Sequence, residues 1–494
     1  MDALAQIGGP LAALGVIGLL LGRKRALRLG GLVLIACGGG LAGAAFAPHT
    51  GPAALATIAL IVLVTVAVLV VALLRWPALL PVLALACVPA RLPFKLSDSI
   101  YNSFVLLYLV IAAATLVLAL EIYRGDKRSR ELGPLTWPLV GFVVWSAVSL
   151  LWSIDVRRGS TELDAALLPF TFLALALARL RWSRRLLQGL LLQLVSMALV
   201  FALIGAYQYK TGEIYWNPKV INSNAYAPFF RVNSVFWDPS IYGRFLVLAI
   251  LACLVLVVTR AGRPWLAVST GAIGVLWIGL ALSFSQSSFT ALVVGVVAAA
   301  LVAWRKRAAI PLVIVSMLIV PVALVTPQAR ARMLDGSKGN LNSITSARST
   351  LVEHGIRIAV HHPFIGVGMG GFRQAYADLA GMSGKNLRKA ASHTTPVTVA
   401  AEEGIVGFAL FLWLITTSFL VTYRRAGPTF PGRVRFVCAL ALTAIAVQSL
   451  FYADFFEDPM TWGFLAIAVA APLTLQSEKT AISVGGGVAD TPPQ

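Results

Sequence analysis

Apolar residues run through this chain in blocks about as long as a bilayer is thick. Candidate spans lie near 3–21, 29–47, 53–74, 77–90, 100–120, 134–152 and 164–178. A second series lies near 185–208, 241–259, 265–282, 288–304, 309–326, 404–423, 434–453 and 459–475. A hydrocarbon core of about 30 Å needs roughly 20 apolar residues per helical crossing, so the pattern predicts an all-α, polytopic integral membrane protein with about 12–15 transmembrane helices. The run from Pro77 to Ala90 is short and interrupted by Pro81. Two polar interruptions are long, and the second, late in the chain, is expected to be an extracytoplasmic helical loop.

Composition agrees: 59% of residues are hydrophobic, 12% are charged, and the mean hydropathy is +0.84, outside the range of soluble globular domains. Basic residues cluster in alternate connections, at Arg23-Lys24-Arg25, Arg124 to Arg130, Arg181 to Arg185, Arg305-Lys306-Arg307 and Arg424 to Arg435, and these connections are expected to face the cytoplasm. The first run is followed by its basic cluster, the wrong polarity for a cleavable signal peptide, so a retained span with an outside N-terminus is expected. The organisation expected is N-terminal helices (1–208), a first extracytoplasmic loop (209–240), central helices (241–326), a large extracytoplasmic loop (327–403), C-terminal helices (404–475) and a disordered cytoplasmic tail (476–494). All four cysteines fall inside expected spans, which offers no disulfide framework.

Function is expected in the two long outward segments. The net charge of +20, with many of the 40 basic residues in or beside these loops, asks for an anionic partner there, and none is expected to be nucleic acid. Arg231 and Arg244 bracket "NSVFWDPSIYG", in which Asp238-Pro239-Ser240 reads as the capped start of a helix, so Arg244 lies one turn inside the membrane mouth. Arg348 opens an amphipathic helix that ends at Pro363 and a run of glycines. Gly366, Gly368 and Gly371 spell GxGxxG, but no strand precedes them; a turn that orders the loop competes with one whose amides meet phosphate. In "SHTTPVTVAAEEGIVG", His393 precedes Pro396 and is separated by ten residues from Gly404, where a helix dives into the membrane, so it is expected at the membrane interface. With no ligand spacing around the histidines, no metal or other cofactor is expected.

These residues resemble the O-antigen ligase and O-antigen polymerase superfamily. Its ligase signature, a His and a small polar residue, then nine variable residues, a Gly, two more and a small residue, is matched by His393, Thr394, Gly404 and Gly407. "HHPFIGVGMGGF" and "ITSARSTL" resemble the elements upstream of it, and "RVNSVFWDPSIYGRFL", with Arg244 and Leu248, resembles the family's Arg-bearing helix start. The resemblance covers roughly residues 200–460. Thr394 stands where the family usually has Asn, Ser or Gln, and Gln286 in "LSFSQSSFTA" stands where many relatives carry an arginine.

The resemblance implies transfer of a glycan from an undecaprenyl-pyrophosphate-linked donor to an acceptor hydroxyl on a glycan, lipid or protein, at the outer face of the cytoplasmic membrane and without a metal. It implies His393 as the catalytic base, Arg231, Arg244 and Arg348 as pyrophosphate ligands, and Thr394, Glu402, Glu403 and Gln286 in support. Membrane lipids are the remaining partners. Ligase and polymerase differ only in the acceptor and both stay open. A lipid-linked glycan transporter or flippase is the alternative from another class; it predicts mid-membrane charges and two related halves.

Overall fold

The computed structural model describes residues 2–43, 52–90, 92–96, 99–126, 128, 131–215, 217–226, 230–304, 348–381, 394–452 and 455–485. In chain order, α1 is Asp2–Leu21, α2 Arg25–Gly43, α3 Pro52–Arg75 and α4 Leu79–Cys87. A small antiparallel hairpin of β1 (Leu92–Leu96) and β2 (Ser99–Ser103) pairs Leu92 with Ser103 and precedes α5, Val105–Tyr123. Then come α6 (Thr136–Ser149), α7 (Val156–Glu162), α8 (Leu168–Ala178), α9 (Arg184–Thr211), α10 (Pro218–Tyr226), α11 (Pro239–Val258), α12 (Arg263–Ser283) and α13 (Gln286–Trp304). The last five are α14 (Arg348–His361), α15 (Phe372–Leu379), α16 (Thr395–Tyr423), α17 (Phe430–Gln448) and α18 (Pro459–Gly485).

Twelve stretches of helix among the described residues are long and apolar enough to cross a membrane, and Pro459–Leu475 is a shorter apolar helix beside them. The protein is a polytopic, helical membrane protein. Hydrocarbon offers backbone amides no partner, so a chain this apolar satisfies them within helices.

Several boundaries differ from the sequence expectation, each for a local reason. The run from Pro77 to Ala90 yields only α4, with Pro81 confined to its first turn, where a proline removes no helical bond. The span expected from 164 starts at Val156, because α7 continues into α8 through a π turn at Leu163–Leu167. Helix α16 begins at Thr395, nine residues before the expected start at Gly404. Where a structureless tail was expected from Gln476, α18 runs on to Gly485. The run at 309–326 lies outside the described residues.

Helix α11 forms the centre, packed by α9, α12, α13 and α17. Helices α1 and α2 approach through glycines: a Cβ on Gly8 would stand 2.5 Å from the Gly38 carbonyl oxygen, and one on Gly31 2.6 Å from that of Gly15. Small residues let helix backbones meet where no hydrophobic force drives association in lipid.

At one end of the bundle, called here the basic end, the starts and finishes of α2, α5 and α8 are tied by buried charges. Glu131 accepts from Arg28 Nη2 at 2.8 Å and from Arg179 Nη1 at 2.5 Å, all three side chains being nearly inaccessible. Arg179 Nη2 also reaches Asp126 at 2.6 Å and Glu121 at 2.8 Å. Arg128, half exposed, pairs with Asp126 and, through this hydrogen bond, holds its carboxyl down to about 2.

Replacing Glu131 by Gln leaves two buried guanidiniums short of a counter-charge and is expected to cost about 3–5 kcal/mol in thermal unfolding of the purified protein, since breaking a buried pair strands its partner. Arg128→Gln removes an exposed partner and should cost under about 1 kcal/mol; equal effects would refute the network's role. Because the folded pKa of Asp126 is depressed, its contribution is complete above the ordinary carboxylate pKa near 3.8 and fades as pH falls through about 2. Asp126→Asn should flatten the acid limb of the melting-temperature profile in that window and leave the neutral limb parallel to that of the parent protein.

Candidate functional site

At the opposite end, α16 is broken. Gly404 takes φ 65 and ψ −164, a conformation open to glycine, and the helical ladder is interrupted inside a span. The glycine-rich turn between α14 and α15 supplies the missing partners. The amide of Val367 donates to the Ala401 carbonyl (3.0 Å), that of Gly368 to Glu402 O (2.8 Å), and that of Ile405 to Pro363 O (2.8 Å). The turn fits because it lacks side chains: a Cβ on Gly366 would lie 2.3 Å from the Glu402 carbonyl carbon, and one on Gly368 2.3 Å from Ser153 Cα.

The competing reading of GxGxxG, a cradle for phosphate, is not what the turn does. Met369 N donates to Ser149 Oγ (3.0 Å), Gly371 N to Gly368 O (3.0 Å) and Phe372 N to the Glu402 carboxylate (3.0 Å), so these amides too are spent on the protein.

Beside the break lies a polar cavity of 120 Å³ between α6, α7, α15 and α16 and the segment before α18. Glu402 and Glu403, Glu162, Arg158, Arg373 and Thr395 line it. Arg158 Nε meets Glu162 Oε1 at 3.0 Å. Ser146 Oγ donates to Glu403 Oε1 at 2.6 Å, and Trp145 Nε1 donates to the Glu403 carbonyl at 3.1 Å. Glu403 Oε2 and Thr395 Oγ1 are buried and have no hydrogen-bond partner among the described residues. Gly407 completes the packing, since a Cβ there would stand 2.2 Å from that of Glu403. Burying a polar atom unpaired is costly, and a cavity of this size accommodates a small hydroxyl-bearing group or several waters.

A second cluster surrounds the turn from α12 to α13. Arg231 Nε approaches the Ser283 carbonyl at 3.4 Å, and Val232 N donates to Leu282 O. Ser285 and Ser288 exchange a 2.8 Å hydrogen bond, and Gln448 Nε2 donates to Ser288 Oγ (3.1 Å) and to Ser240 O (2.9 Å) at the head of α11. One turn into α11, the buried Arg244 pairs with Asp458 at 3.0 Å. Asp458 also caps α18, its Oδ1 accepting from Met460 N at 2.8 Å. The two clusters touch at the start of α16, where Thr395 N donates to Ser449 O at 2.9 Å, and Glu457, which lines the cavity, adjoins Asp458.

Of the residues singled out by sequence, Arg231 and Arg244 come together around the serine turn, and Gln286 is exposed on it. Glu402 and Glu403 share the polar cavity. Thr394 heads α16, its carbonyl accepting from Thr398 N and Oγ1. Arg348 is the first residue of α14, as expected. His393 lies outside the described residues, immediately before Thr394.

Four residues escaped the sequence reading: Asp458, Arg158, Glu162 and Arg373. For Asp458 a signal existed, since Asp458-Pro459 repeats the Asp238-Pro239 cap that was recognised. For Arg158 and Glu162 it was the i,i+4 pairing after Asp155, whose side chain caps α7.

Asp458→Asn and Arg244→Gln are each expected to lower stability by about 3–5 kcal/mol, and the double variant by clearly less than the sum, in a double-mutant cycle followed by thermal unfolding. Additive losses would mean that the pair is not coupled.

No curated protein matches the chain. Residues 271–412, from within α12 through the glycine turn to within α16, match the family model described as O-antigen ligase. The matched segment holds Gln286, Arg348, His393, Thr394, Glu402 and Glu403; Arg231, Arg244 and Asp458 fall outside it, so it is narrower than the stretch over which the motifs resemble the family. Over that segment this polytopic membrane protein is similar to the O-antigen ligase family.

Proposed function

We propose that the protein transfers a glycan from an undecaprenyl-pyrophosphate carrier to an acceptor hydroxyl at the outer face of the cytoplasmic membrane. The observation that carries this reading is the concurrence of the family match with two polar clusters at one end of the bundle, meeting at the head of the helix that follows His393.

In the proposed step, the acceptor oxygen attacks the anomeric carbon of the donor sugar. The bond from that carbon to the pyrophosphate oxygen breaks, and the lipid pyrophosphate leaves with the electron pair. His393 takes the acceptor's proton; an imidazole with a pKa near 6.5 suits this, and a positioned base is worth roughly 10²- to 10⁴-fold. Arg231, Arg244 and Arg348 stabilise the charge that grows on the leaving group, guanidinium forks being matched to phosphate oxygens. The Arg244–Asp458 pair fixes one of these forks in advance. Glu403, with a carboxylate oxygen buried beside the cavity, is suited to hold the acceptor or to orient the base, with Thr394, Glu402 and Gln286 shaping the surroundings. The nature of the acceptor, a lipid, a protein or the end of another lipid-linked glycan, separates ligase from polymerase. The transporter alternative draws no support from the buried ion pairs described, Arg28–Glu131, Arg179–Glu131 and Arg244–Asp458, which gather at helix ends.

His393→Ala in the native host, at membrane levels matched by immunoblot, is expected to abolish the surface polymer while lipid-linked precursor accumulates on the outer face. An unchanged glycan profile, or precursor accumulating only on the cytoplasmic face, would overturn the assignment.

A further inference from the structure

A second cavity, of 190 Å³ and mainly apolar, lies between α4, α8, α9, α11, α17 and α18. Its lining runs on α9 from Arg184 to Leu194, about 15 Å at roughly 1.5 Å per residue, and on α18 from Pro459, next to Asp458, to Ile467, so the slot extends from the basic end deep into the bundle. Leu177, Leu187 and Phe464 are among its walls. A mainly apolar cavity of this size leaves its lining atoms short of packing partners unless something apolar fills it.

Its mouth has the opposite character. Arg184 and Arg433 stand there in the first turns of α9 and α17, and the Arg184 guanidinium is seated 5.0 Å over the Phe430 ring. Two helix N-termini thus add their positive ends to two cations. Among the described residues, none that lines the cavity is acidic. The Nε of Arg433 is buried and has no hydrogen-bond partner among the described residues. Arg185, Arg424, Arg425 and Arg435 surround the same connections and extend the charge. A mainly apolar slot beneath arginines, with no acid in its described lining, is complementary to a molecule with one anionic phosphate and an alkyl chain.

We propose that this cavity is a binding site for an anionic phospholipid of the leaflet at the basic end, one acyl chain filling the slot and the phosphate lying between Arg184 and Arg433. The site is separate from the glycan-transfer reading and uses none of its residues, although the lining begins on α18 at Pro459, directly after Asp458. Its charged mouth ties α9 and α17 at the basic end, so the bound lipid acts as a wedge that fixes their spacing.

Two variants test the two halves of the site. Arg184→Gln/Arg433→Gln removes the charges. Gly463→Leu fills the slot, and a Cβ at Gly463 meets nothing within 4 Å, so the substitution is expected to fold. Full-length protein in phosphatidylcholine nanodiscs, with and without phosphatidylglycerol, is followed by thermal unfolding and by native mass spectrometry of retained lipid. Phosphatidylglycerol should raise the parent protein's melting temperature and be retained as one tightly held copy. The double Arg variant should bind it roughly 30-fold more weakly, at about 1 kcal/mol per basic residue. Gly463→Leu should lose both the retained lipid and the shift. Arg425→Gln/Arg435→Gln, at the same end but outside the lining, should change neither. Equal retention of phosphatidylcholine, an equal loss in the Arg425/Arg435 control, or displacement of phosphatidylglycerol by a stoichiometric amount of polyprenyl phosphate would each overturn the proposal.

Discussion

Hydrocarbon leaves no backbone group unpaired without a large cost, and the break in α16 is where this constraint shapes the molecule. A helix interrupted inside a membrane needs outside partners for the groups it frees. Here they come from one turn, Pro363 to Phe372, which reaches the break only because its glycines carry no side chains. That turn is pinned in its own right by Ser149 and by the Ser153 hydroxyl, which donates to Met369 O. Helices α6, α7, α14, α15 and α16 therefore form one interlocked unit, and the polar cavity is the space left between them.

The same logic distributes the charges. The buried ion pairs among the described residues lie near helix ends, and their carboxylates each serve two neighbours at once: Glu131 receives two arginines, and Asp458 caps one helix while pairing with another. An acid that already terminates a helix has been positioned by the backbone, so little further ordering is lost when it meets a guanidinium. That economy explains why Arg244 can sit inside a membrane mouth within the most deeply buried helix.

Sequence made much of this legible because hydropathy reports the one constraint that every membrane span must meet. Most of the spans, the predominantly helical class, the helix opened by Arg348 and the capped start of α11 follow from local pattern. What escaped was nonlocal. Arg158 and Arg373 look like loop cations until the fold lines one cavity with both, and Asp458 looks like a simple turn residue until Arg244 is seen across from it. The glycine motif shows the limit of a spacing rule: it announced a close backbone approach, and only the hydrogen bonds reveal that the approaching backbone is the protein's own. The start of α16 was misplaced for a related reason, since its first nine residues are polar enough to read as loop.

Helix α11 is 78% buried along its apolar window, whereas α3 is only 11% buried. Two helices of comparable greasiness are thus held to different standards. Along α3, which faces lipid, one aliphatic residue serves nearly as well as another, and its sequence is free to drift within a hydropathy limit. Along α11 most side chains are buried against protein atoms, so shape as well as polarity is inherited. Divergence among descendants of this chain should therefore accumulate on the lipid-facing rim and spare the axis that carries Arg244.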